Sequence, residues 1–243
     1  MRKRLDLVLN GKGGVGKSFF AVNFVQFLKD KRIKHAVIDT DNENSTLKRF
    51  HSEAIYIDLS QPAALDRIIY ELDANPLVLV DCRAASTDLF LRYFTKINIF
   101  EVLKELNASL TVILPINHDP DSVKQVQLLI EQFGDKASYV VVKNRFFSEQ
   151  FAIYDKSKTR TRLADDLDGK EIEMLMLEDW LVVGLNQATM TITLAVRSDK
   201  FYIPDRQRLI WWQREFYGQV KAARAFLLPQ GKLSANRKGG PHE

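Results

Sequence analysis

The stretch Asn10–Phe20, NGKGGVGKSFF, limits what this chain can fold into more than any other. It follows the apolar run Leu5–Leu9 and precedes a segment in which Phe20, Phe24, Phe27 and Leu28 recur at helical spacing, so the context is strand, loop, helix. Glycines at Gly11, Gly13, Gly14 and Gly16 let the backbone curl with its N–H groups inward. The result is a nest for phosphate oxygens at the positive end of the following helix. From Gly11 to Ser18 the spacing fits G-x-x-x-x-G-K-[ST]. In that pattern Lys17 neutralises β- and γ-phosphate charge and the Ser18 hydroxyl is placed to ligate Mg²⁺. One lysine is enough for a phosphate, so the second, Lys12, needs its own role.

Composition narrows the setting. A chain of 243 residues with 46% hydrophobic content can bury a full core and is compatible with one α/β domain. We assign residues 1–228 to that domain and expect the polar tail 229–243 to be disordered. Apolar runs such as LTVILPI are far short of the roughly 20 residues that span a bilayer, and the N-terminus has no signal-peptide core. The expectation is a cytoplasmic protein without membrane attachment. The lone cysteine, Cys82, offers neither a disulfide nor metal-ligand spacing and reads as a small buried hydrophobe. A net charge of +4 permits an acidic partner without demonstrating one.

Apolar runs alternate with helical patterns along the chain, which predicts a mostly parallel central sheet flanked by helices. HAVIDTD, PLVLVDC, SLTVILPI and SYVVVKN are further strands, and the first two end in carboxylates. HDPDSVKQVQLLIEQF predicts a helix capped by Asp119, with Pro120 at its first position and Val123, Val126, Ile130 and Phe133 on one face. The C-terminal third reads as a strand at EIEMLML, a helix from Asp179 to Arg197, a loop around Pro204 and a final helix from Asp205 to Leu228. In that last helix Leu209, Trp212, Phe216, Val220, Ala223 and Leu227 form a core stripe, with Trp211 and Tyr217 lying off it as candidates for a partner surface. KSKTRTR reads as a solvated loop neutralised by Asp165, Asp166 and Asp168.

A lysine directly after the first glycine, as in GKGGVGKS, resembles the deviant Walker A motif of the ParA/MinD family of ATPases. The resemblance implies a P-loop NTPase fold, ATP and Mg²⁺ as ligands, and an ATP-dependent homodimer in which Lys12 reaches the partner subunit's phosphates. Charge developing on the transferred phosphoryl group would then meet a cation present only once two subunits have closed. A solvated surface lysine is the alternative. The same likeness implies nucleotide contacts along Gly11, Lys12, Gly13, Gly14, Val15, Gly16, Lys17, Ser18 and Phe19.

Three further places carry the resemblance. VIDTD resembles a switch I strand end, which implies that Asp39 and Asp41 hold metal-bound water and orient the attacking water; NENST stands where the family has proline and glutamine. LVLVD, ending at Asp81, resembles a Walker B strand whose carboxylate holds Mg²⁺ through water or Ser18, and the following CRAAS lacks the glycine or proline common in switch II. VVVKNRF puts Asn144 where the family's asparagine recognises adenine, and no N-K-x-D guanine pattern occurs, so ATP is expected over GTP. From the residues alone, Asp39 serves equally well as a cap for the next helix. Asp81, closing a buried run beside the loop strand, is better placed for a metal.

The DTDxxN segment, the non-proline stretch after Asp81 and the aromatic C-terminal helix resemble the TraL/StbC-like proteins of conjugative and mobilisable plasmids. The function implied is an ATP-driven dimer switch with slow hydrolysis that positions or partitions cargo through an unidentified protein partner. The competing reading is an ATP-dependent synthetase of the dethiobiotin or cobyrinate type, which would spend the γ-phosphate on a carboxylate. Lys12 favours the switch. Arg197, Lys200, Arg206, Arg208 and Arg214 are the expected source of weak, sequence-independent DNA binding.

Overall fold

Seven strands form one sheet in the computed structural model, which describes residues 2–41, 44–146 and 148–230. They are β1 (Lys3–Val8), β2 (Ala36–Asp39), β3 (Ile55–Tyr56), β4 (Leu77–Asp81), β5 (Ala108–Ile116), β6 (Ala137–Asn144) and β7 (Lys170–Met174). Their spatial order is β3-β2-β4-β1-β5-β6-β7 and every pair is parallel, as the alternating pattern predicts. The first six helices are α1 (Lys17–Asp30), α2 (Thr46–Phe50), α3 (Asp66–Ala74), α4 (Thr87–Lys96), α5 (Ile99–Glu105) and α6 (Pro120–Phe133). The remaining six are α7 (Ala152–Asp155), α8 (Lys158–Asp165), α9 (Asp179–Ala188), α10 (Ile192–Ala195), α11 (Ile203–Ala222) and α12 (Arg224–Leu227).

Both faces of the sheet are covered, which is why the central strands are almost continuously apolar. Because side chains alternate along a strand, Leu5 and Leu7 enter a core with Phe90 and Phe94 of α4 and Leu129 and Phe133 of α6. Val8, Leu79 and Ile113 enter the opposite core, with Phe20 and Phe24 of α1 and Trp212 and Phe216 of α11. The stripe read on the last helix is buried throughout. Helix α6 begins as its sequence dictates: Pro120 opens it and the Asp119 carboxylate accepts from the Asp121 N–H at 2.8 Å.

Two polar groups on β1 turn into the second core. Arg4 donates to Thr111 Oγ1 at 2.9 Å and to the Ala225 carbonyl at 2.8 Å, while Thr111 donates to the Phe226 carbonyl at 2.6 Å. These bonds satisfy carbonyls of α12 and dock it on the sheet. Asp6 is enclosed without a well-formed hydrogen bond to either oxygen, and burial pushes its pKa well above the usual carboxylate range, against the pull of Arg4 and Thr111. At the outer edge of β7 the Glu173 N–H donates to Gln219 Oε1 at 3.2 Å.

Four local expectations need correction. The helix expected from Asp179 to Arg197 is two, because Thr189 adopts a left-handed φ of 51°. Met190 N–H then bonds back to the Leu185 carbonyl at 3.0 Å, and the threonine-rich QATMTIT has little helix propensity to resist the break. Pro204 lies inside the first turn of α11 rather than in a loop, where its missing N–H costs nothing. The helix expected to run to Leu228 ends at Ala222, and α12 follows separately. KSKTRTR is helical: Ser157 caps α8 by accepting from Arg160 N–H at 3.1 Å, and Arg160 pairs with Glu171 at 2.7 Å instead of with the aspartates that follow it. The tail expected to be disordered falls outside the described residues from position 231. Among the described residues no helix is long and apolar enough to cross a membrane.

His51, just after α2, is enclosed, with its Nε2 2.9 Å from the Val22 carbonyl. Burial holds its pKa below the usual histidine value. As pH falls below about 6.5 the unfolded chain therefore takes up the proton first, and the fold loses up to about 1.4 kcal/mol per pH unit until His51 itself titrates. His51→Gln should flatten the dependence of urea-unfolding free energy on pH between about 7 and 5 by that amount; an unchanged slope would remove His51 as its source.

Candidate functional site

The parallel register aligns the C-terminal ends of three strands. Val8 lies opposite Asp81, and Asp39 lies opposite Asp81 on the other side, so the loop and both strand-end carboxylates emerge together. This is the edge of an open parallel sheet where ligands bind, at the point where the strand order reverses. A cavity of about 410 Å³ opens there. Gly13, Gly14, Gly16, Lys17, Ser18 and Phe19 line one side, Asp41, Asn44 and Asp81 another, and Phe146, Leu175, Leu177 and Val182 its apolar end.

The loop is held from three directions. Asn10 donates through Nδ2 to the carbonyls of Pro115 at 2.9 Å and Ser122 at 3.1 Å, while its Oδ1 accepts from Lys12 N–H at 3.0 Å. Gln125 Oε1 takes the Gly11 N–H at 3.3 Å, and a Cβ on Gly11 would stand 2.6 Å from that oxygen. From the far side Asn144 Nδ2 donates to the Val15 carbonyl at 3.0 Å and its Oδ1 accepts from Phe146 N–H at 3.1 Å. Gly16, at φ 95°, is left-handed and pressed against that amide, so no side chain fits there.

The two lysines part company. Lys17 is enclosed and its Nζ donates to the Lys12 carbonyl at 2.9 Å; burial lowers its pKa and neighbouring Asp81 opposes the shift. Lys12 points away from the cavity toward the start of α6, where its ammonium lies 2.9 Å from Asp119 and 3.8 Å from Asp121. The hydrogen bond to Asp119 raises the Lys12 pKa and lowers that of Asp119.

The carboxylates divide as sharply. Asp39 is enclosed, and its two oxygens accept from Asp41 N–H and Lys48 N–H, each at 3.0 Å, so it caps the segment leading into α2. Asp41 lines the cavity, accepting from Asn44 N–H at 3.3 Å. Asp81 is buried without a well-formed hydrogen bond to either oxygen, and burial pushes its pKa up to about 7, moderated first by the Ser18 hydroxyl beside it. An enclosed, unsatisfied carboxylate next to a serine hydroxyl fits a divalent cation. Thr40 links the two strand ends: its hydroxyl donates to the Asp81 carbonyl at 3.0 Å and accepts from Arg83 N–H at 3.0 Å.

Of the residues read from sequence, Gly13, Gly14, Gly16, Lys17, Ser18, Phe19, Asp41, Asp81 and Asn144 share the cavity wall. Gly11, Lys12, Val15 and Asp39 are absent from that wall. Asn10, Gln125 and Thr40 escaped the sequence reading, although an amide directly before a glycine loop is itself a signal for a loop anchor. Tyr217, taken as a candidate for a partner surface, donates to Asp30 at 2.7 Å and packs edge-on to Phe27; Trp211 is 48% exposed.

Ala85, in the segment that lacks a glycine, adopts a left-handed φ of 56° while its N–H donates to the Gly11 carbonyl at 3.0 Å. A Cβ there costs about 1–2 kcal/mol, partly offset by the lower chain entropy of alanine. Ala85→Gly should stabilise the fold by about 0.5–1 kcal/mol in urea unfolding; destabilisation would show that the methyl contributes packing that outweighs the strain.

Comparisons with known proteins identify the family. Residues 7–187 match the model of the CobQ/CobB/MinD/ParA nucleotide binding domain. Protein MobD of Acidithiobacillus ferrooxidans is 25% identical over 225 residues, covering 88% of this chain and 95% of MobD. Protein TraL of Escherichia coli is 25% identical over 248 residues, covering 90% of this chain and 98% of TraL. Among solved structures, the septum site-determining protein MinD of Pyrococcus horikoshii OT3, complexed with Mg-ADP, shares the fold with a TM-score of 0.52 at 15% identity, over 88% of this chain and 96% of that one. With its glycine loop, its strand-end carboxylates and a family match across most of its length, this chain belongs to the CobQ/CobB/MinD/ParA family of nucleotide-binding P-loop proteins.

Proposed function

We propose that the protein is an ATP-dependent dimerisation switch with slow hydrolysis, acting in plasmid mobilisation or conjugation to position or partition cargo. The observation that carries this reading is the divergence of the two loop lysines, with Lys17 turned in toward the cavity and Lys12 turned out to the flank of α6. A nucleoside triphosphate would be held there by the loop N–H groups at its phosphates and by Phe146, Leu175 and Leu177 at its base. Asn144, already bonded to the loop and to Phe146 N–H, sets the width between the two ends. Mg²⁺ held by Ser18 and Asp81 would neutralise charge on the β- and γ-phosphates. Asp41, on the cavity wall, orients the attacking water, and Asp39 acts through the backbone by fixing Asp41. Thr40 couples that segment to the one after Asp81.

The Lys12 ammonium is 38% exposed and its pairing with Asp119 and Asp121 is weak in water, so exchanging those carboxylates for a partner's phosphates costs little. The names of MobD and TraL support the plasmid setting. For DNA the surface is less generous than its arginine count suggests: Arg208 is taken by Asp205 at 3.0 Å and Glu178 at 3.6 Å, and Arg214 by Glu215 at 3.2 Å. These exposed pairs exchange as readily as that of Lys12, so all five cations stay available to phosphates, in a field that the adjoining carboxylates reduce.

Lys17→Ala should abolish the ATP–Mg²⁺ stabilisation, which for a native-state ligand at 100 times Kd is about 2.7 kcal/mol. A melting shift equal to that of the parent protein would refute the phosphate assignment. Lys12→Ala should keep the melting shift but stay monomeric on a sizing column with ATP and lose hydrolysis. Dimer formation at the parent level would return Lys12 to a surface role.

A further inference from the structure

The two ends of the glycine loop have different neighbours. Asn144 grips it at Val15 and stands against Gly16, on the side of Phe146. At the other end Ala85 N–H donates to the Gly11 carbonyl at 3.0 Å, and a Cβ on Gly13 would lie 3.8 Å from that of Ala84. A triphosphate whose base is held by Phe146 and Leu175 thus has its last phosphate beside the segment that follows β4.

Arg83 is the charged residue of that segment. Both of its backbone groups are held: its N–H donates to Thr40 Oγ1 at 3.0 Å, and its carbonyl accepts from Ser86 Oγ at 2.7 Å. Among the described residues that line the cavity, Lys17 and Arg83 are the cations, set against the carboxylates of Asp41 and Asp81. A Mg²⁺-bound triphosphate remains an anion after one ammonium has met it. A guanidinium offers two parallel N–H groups, which match two oxygens of a single phosphoryl group.

We propose that Arg83 is a second cation for the nucleotide, supplied by the same subunit, which binds the terminal phosphate of ATP and so separates the triphosphate from the diphosphate. The inference rests on reading this cavity as an ATP site. Its task differs from that of Lys12, because Arg83 lies on the cavity wall of the single subunit. Charge that develops on the transferred phosphoryl group meets the same guanidinium. Through its N–H the residue is tied to Thr40, next to Asp41, so the terminal phosphate is linked to the segment that orients water. The alternative is a surface arginine serving Asp58, whose pKa is lowered first by Ser60 and last by the charge of Arg83.

Titration of the full-length protein with AMPPNP and with ADP, each with Mg²⁺, separates the two. Arg83→Gln should weaken AMPPNP about tenfold or more and leave ADP within about twofold of the parent. ADP with aluminium fluoride, which mimics the phosphoryl group in transfer, should lose about a hundredfold. Arg83→Lys keeps the charge without the fork, and should recover part of the AMPPNP affinity but little of the aluminium fluoride complex. Unchanged AMPPNP affinity in Arg83→Gln, or equal losses for AMPPNP and ADP, would overturn the inference and leave the ATP site standing. A parent protein that binds neither nucleotide would remove the ATP site, and the inference with it.

Discussion

Lys17, at the start of α1, and Asp81, at the end of β4, are buried as neighbours, and each supports the charge of the other. Desolvation lowers the ammonium pKa and raises that of the carboxylate, while their mutual attraction works against both shifts. Neither is fully satisfied, since Lys17 has one carbonyl and Asp81 has no well-formed hydrogen bond. Two incompletely compensated charges of opposite sign are costly to keep out of water. A phosphate on the first and a cation on the second would supply what each lacks.

The surroundings keep the pair in place. Asn10 ties the loop to β5 and α6, and Gln125 of α6 and Asn144 of β6 grip it in turn, so its shape is fixed by the protein's own hydrogen bonds. Preformed donors avoid the reorganisation that would weaken their effect on developing charge. The segments after β2 and β4 are joined by the Thr40 hydroxyl and cannot move independently without breaking two hydrogen bonds. Asp39 contributes at one remove, as the fixed point from which Asp41 and α2 are hung.

What could be read from the sequence was whatever depends on neighbouring residues alone. The glycine loop, the buried strands, the Asp119 cap with Pro120 and the stripe through Trp212 and Phe216 each follow from spacing and local chemistry, and all recur in the structure. The break at Thr189 was hidden because a run of apolar residues on both sides imitates one continuous helix. The helix of KSKTRTR was hidden because its arginine finds Glu171 on a strand that sequence order cannot place beside it. The same limit applied to the site. Asp39 could be a cap or a ligand until Lys48 N–H was found on its oxygen, and Lys12 had no visible partner until α6 brought Asp119 to it.

The two margins of the sheet have a bearing on how copies of this chain can meet. On one side β3 offers only Ile55 and Tyr56, too short to template another strand. On the other, the Gln219 side chain occupies the outward N–H of Glu173 on β7. Growth by strand addition, the route to open-ended fibres, is thus obstructed at both margins. Any self-association of the folded chain is thereby steered away from open-ended strand stacking.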